Sequence, residues 1–98
     1  MPMYNEMRQY IRKHTPEAAL YEQIAEEAVE LAHAALKYAR VLRRESPTPV
    51  TREQAAEAVR QEYNDLLTVA LMAPAAARDD TLIKYKITRW RERLERRA

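Results

Sequence analysis

The chain has 98 residues, 47% hydrophobic and 33% charged, with a net charge of +2 and neither Gly nor Cys. This size and balance fit one folded domain, and the missing Gly excludes the phosphate-cradling loops and dinucleotide turns that bring backbone close to phosphate. The missing Cys excludes disulfides, thiolate metal sites and Cys nucleophiles.

A chain rich in Ala, Leu, Glu, Arg and Gln costs little to coil, so the expected fold is all-α, a four-helix arrangement with antiparallel central helices. A first helix is expected over residues 4–14, where Tyr4, Met7 and Ile11, or Met3, Met7, Tyr10 and His14, fall at helical spacing. Thr15-Pro16 reads as the start of a second helix, with the hydroxyl capping and proline in the first turn. It should run to about Arg44, with Leu20, Ile24, Ala28, Leu31, Ala35, Tyr38 and Leu42 as its apolar stripe. Ser46, Pro47, Thr48 and Pro49 break the helix, since prolines this close cannot sit inside one.

Thr51-Arg52-Glu53-Gln54 is a capping-box pattern opening a third helix that continues to about Met72. Asp79 or Asp80 caps a fourth, with Ile83, Ile87, Trp90 and Leu94 as its buried stripe and Arg96-Arg97-Ala98 fraying at the end. Trp90, Met3, Met7 and Met72 read as packing residues, and His33 as exposed. The longest apolar stretch, residues 66–77, is interrupted by Thr68 and Pro74 and is too short to span a bilayer, so no membrane association and a cytoplasmic setting are expected.

Charge is unevenly placed. Residues 17–36 carry five Glu and no Lys or Arg, whereas residues 78–98 carry eight Lys or Arg against four acids. The small net charge gives no reason to expect stable nucleic-acid binding. On helical wheels Glu27 and Glu30 lie along one edge of the second helix's stripe, with Glu26 turned further toward solvent. Glu62 and Asp65 fall inside the apolar arc of Ala55, Ala58, Val59, Leu66, Val69 and Ala70.

Inward carboxylates need compensation. Basic partners are available in Arg52, Arg60, Lys84 and Lys86; a di-iron site would ask for Glu-x-x-His on two helices, and only Glu30-Leu31-Ala32-His33 has that spacing, His14 having no Glu three residues before it. A hard divalent cation such as Mg²⁺ is the third solution, since it prefers oxygen ligands and shares its coordination with phosphates.

Glu26-Glu27-Ala28-Val29-Glu30-Leu31 followed by Glu62-Tyr63-Asn64-Asp65 resembles the MazG-like all-α nucleoside triphosphate pyrophosphohydrolases, whose signature is Glu-x-x-Glu on one helix and Glu-x-x-Asp on the next. The likeness spans residues 21–90, with 31 residues between Glu30 and Glu62. The resemblance implies a homodimer or homotetramer that hydrolyses a (deoxy)nucleoside triphosphate to monophosphate and pyrophosphate. It implies Mg²⁺, with Mn²⁺ as a substitute, on Glu27, Glu30, Glu62 and Asp65. Glu27 or Glu30 would take the attacking water's proton. Without Gly-rich backbone, cationic side chains must hold phosphate, and Lys37, Lys84 and Arg91 are the candidates, with Lys86 behind them. Two other readings are phosphoribosyl-ATP pyrophosphohydrolase, whose helices carry a similar doubled-acid motif, and a non-catalytic helical interaction module.

Overall fold

The computed structural model describes residues 2–45 and 49–97, so the expected break at Ser46, Pro47 and Thr48, the packing of Met3 and the end at Ala98 lie outside what it describes. The described residues form four α-helices and no strand: α1 (Pro2–His14), α2 (Glu17–Arg43), α3 (Arg52–Ala70) and α4 (Asp80–Arg97).

The helix ends follow local chemistry. Thr51 Oγ1 accepts from the Gln54 backbone N–H at 3.1 Å, and the Gln54 side-chain oxygen accepts from the Thr51 N–H at 2.9 Å, completing the expected capping box. Asp79 caps α4, its carboxylate accepting from the Leu82 N–H at 3.0 Å. The start of α2 differs from expectation. Pro16 occupies the cap position with an extended ψ of 137° and no side-chain cap, so helical residues begin at Glu17. Thr15, restricted by the following proline, lies one residue too early to cap. α2 stops where Arg44 turns left-handed (φ 56°), and the Glu45 N–H donates to the Arg40 carbonyl at 3.1 Å. α3 ends two residues short of Met72, in tight turns that close on Val69 and Ala70. At the other end α4 stays helical through Arg97.

α2 and α3 form the one extensive interhelical contact among the described residues. They run antiparallel, since Leu20 near the start of α2 shares a cavity wall with Val69 near the end of α3, while Glu27 meets Glu62. Leu20 and Ala55 are buried between them, and Ile24, Leu31, Tyr38, Val59 and Leu66 are half-buried. Ala28, Ala35 and Leu42, expected in the same stripe, are exposed, because apolar residues cover more of α2 than α3 can hide.

α1 is fastened to the end of α3 by two arginines one turn apart. Arg8 Nε donates to the Leu71 carbonyl at 3.0 Å and Arg12 Nε to the Met72 carbonyl at 2.8 Å, which satisfies acceptors that a helix end leaves without partners. The Tyr21 hydroxyl accepts from the Ala75 N–H at 3.0 Å and ties α2 to the same segment. Met7 is exposed, not packed.

α4 departs most from expectation. It buries no residue and makes no extensive contact with the other helices, leaving Ile83, Ile87, Trp90 and Leu94 exposed. Trp90, expected in the core, is 61% exposed. The periodicity describes an amphipathic helix correctly, but one chain offers that stripe nothing to pack against.

Candidate metal centre

α2 and α3 each present a carboxylate at the middle of their shared seam. Glu27 is one turn before Leu31 and Glu62 one turn before Leu66, so the spacing that buries the leucines also draws in the acids. Both are half-buried. Glu30 is exposed, yet one carboxylate oxygen from each of Glu27, Glu30 and Glu62 lies within 4.8 Å of the others.

Asp65 is not a member of this group. It was expected to point inward with Glu62 but is exposed. Three residues on, it sits about 60° further round the helix, at the rim of the buried arc, and its side chain is one methylene shorter than that of Glu. Its charge still acts on Glu62.

Glu62 carries the strain of the arrangement. Its Oε2 is buried with no hydrogen-bond partner among the described residues. Desolvation pushes its pKa up from the ordinary carboxylate range, and the like charges of Glu30, Asp65 and Glu27 push the same way. Glu27 is better provided for, since Gln23 Nε2 donates to its Oε1 at 2.8 Å.

Among the described residues no cation forms an ion pair with the cluster. The ion pairs among the described residues are Arg43–Glu45, Arg60–Glu57, Arg78–Asp80 and Arg91–Glu95, and none includes Glu27, Glu30, Glu62 or Asp65. Arg60, which could have neutralised Glu62, is held by Glu57 at 2.8 Å. Its hydrogen bond, with help from Gln61, lowers the Glu57 pKa to about 2. Arg52, Lys84 and Lys86 are exposed.

The donors are therefore three carboxylates without His or Cys, a set able to hold a hard divalent cation and poorly suited to softer metals. Oxygens around an octahedral ion of Mg²⁺ size are about 2.9 Å apart when adjacent and about 4.2 Å when opposite, so these side chains would have to draw closer to share one. The orphaned Glu62 oxygen fits that role.

The expected phosphate ligands divide by element. Lys37, seven residues after Glu30, is half-buried on α2 and has no ion-pair partner among the described residues. Lys84 and Arg91 stand on α4, away from any extensive packing with the acidic helices, and Arg91 is bound to Glu95 at 3.7 Å. Sequence reasoning missed Gln23, whose i,i+4 spacing to Glu27 was the available signal. No family model, curated protein or solved structure matches this chain.

Proposed function

We propose that this chain is a Mg²⁺-dependent pyrophosphohydrolase of the MazG-like kind, cleaving the anhydride between the α- and β-phosphates of a (deoxy)nucleoside triphosphate. The observation that carries the reading is the meeting of Glu27, Glu30 and Glu62 from two helices, with one buried oxygen unpartnered and no ion pair to any of the three among the described residues. A salt-bridged helical module would place a cation there.

Glu62 and Glu27 are the residues that would hold the ion, with Glu30 and Asp65 at the rim. When bound, a hard divalent cation supplies neutralisation of phosphate charge and acidification of a water. Glu30, which is exposed, would take the proton of the attacking water. Lys37, on the same helix, would pair with a phosphate oxygen and orient the triphosphate.

The test is pyrophosphate release from a panel of nucleoside triphosphates and phosphoribosyl-ATP, with Mg²⁺ and with chelator. Turnover that requires the metal supports the proposal. No turnover on any of them, with a melting temperature indifferent to Mg²⁺, would refute it.

A further inference from the structure

Helix α4 is exposed along its whole length, from Asp80 to Arg97. Its large apolar residues Ile83, Ile87, Trp90 and Leu94 nevertheless stand on one narrow stripe, covering roughly 60° of the helix and about 16 Å of its length. A bare stripe of this kind marks a surface meant to be covered.

The charges around the stripe are sorted by sign. Lys84 and Arg91 border it on one side, and Lys86, Arg93 and Arg97 on the other, all within about 90° of its centre. Glu92 and Glu95 lie further round, more than about 100° from that centre. Asp80, in the first turn, is held by Arg78 at 2.7 Å. We propose that α4 lies flat on an anionic lipid surface. The stripe sinks into the boundary between headgroups and acyl chains, and the two cationic borders meet the lipid phosphates. Lys and Arg suit such borders, because their stems cover apolar surface while their charged ends reach outward to the headgroups. No described helix is long and apolar enough to cross a membrane. The expectation against membrane association rests on the lack of a spanning stretch, which a helix lying flat does not need.

Other occupants account for less. A single nucleic-acid strand would suit the groove lined by Tyr85, Lys86, Arg89, Trp90 and Arg93, with stacking and phosphate contacts, but would leave Ile83, Ile87 and Leu94 in water. The α4 of a second copy would set cationic borders against cationic borders. Solvation alone is served by mixed charges and leaves their sorting unexplained.

Trp90 is the only tryptophan of the chain, so its fluorescence reads the stripe directly. Protein without metal or nucleotide is titrated with vesicles of phosphatidylcholine and with vesicles of an equal mixture of phosphatidylcholine and phosphatidylglycerol, which keeps the outcome separate from the hydrolase reading. The anionic vesicles should shift Trp90 emission to the blue and sediment with the protein, and high salt should reverse much of the binding; the neutral vesicles should do neither. Ile87→Glu places a charge in the stripe and Arg93→Glu reverses one in its border. Each should weaken binding to anionic vesicles at least about tenfold, with helical content in the absence of lipid unchanged because both side chains are exposed. The proposal is overturned if Trp90 emission is already blue and indifferent to lipid, which would mean that protein covers the stripe. It is also overturned if neutral vesicles bind as tightly as anionic ones, if Ile87→Glu and Arg93→Glu bind like wild type, or if a single-stranded oligonucleotide quenches Trp90 while anionic vesicles leave it unchanged.

Discussion

Glu62 is where folding and the proposed chemistry pull in opposite directions. A half-buried carboxylate facing two others costs the metal-free protein stability, and removing the charge should return it. Glu62→Gln is therefore predicted to raise the melting temperature of metal-free protein while abolishing both its response to Mg²⁺ and metal-dependent turnover. Calorimetry with and without Mg²⁺, paired with pyrophosphate release, checks both halves. The raised pKa fixes a pH signature as well. Folding favours the neutral form, so this stabilisation is full below the ordinary carboxylate range and disappears as pH climbs through the raised value. Metal-free wild type should then melt higher at mildly acidic pH than at neutral pH, and Glu62→Gln should flatten that difference. Glu62 was legible in the sequence because it falls within an apolar arc. Asp65, three residues further along, was misplaced inward because it falls at the rim of that arc, where a shorter side chain stays exposed.

Among the helices, α3 was the most readable, since its start is specified by contiguous residues and its seam by period. Removing the hydroxyl in Thr51→Ala should cost about 1 kcal/mol, measurable by urea denaturation at unchanged slope. The start of α2 was misread because two rules competed at Thr15-Pro16, and the restriction that proline places on its predecessor prevailed. The mooring of α1 by Arg8 and Arg12 was not legible at all. Their partners are backbone carbonyls some 60 residues away, and main-chain acceptors leave no mark in a sequence.

For the molecule as a whole, a stripe of regular period reveals that a surface will be covered but not by what. The α4 residues Ile83, Ile87, Trp90 and Leu94 keep the expected spacing and nevertheless face solvent in the protomer. The same separation ranks the cations. Lys37→Ala, on the helix that carries Glu27 and Glu30, should raise KM for triphosphate about tenfold, whereas Lys84→Ala should leave it within about twofold; steady-state kinetics on both variants decides the order.

Arg44 ends α2 in a left-handed conformation that glycine adopts freely and a residue bearing a Cβ resists, at a cost of about 1–2 kcal/mol. In a protein without a single glycine, that tension sits at the end of the first acid-bearing helix. Arg44→Gly should release part of it and stabilise the fold by about 0.5–1 kcal/mol after allowing for the looser unfolded chain, as a shift in urea midpoint would show. The last turn of α2 is thus a wound spring, and substituting one residue would slacken it.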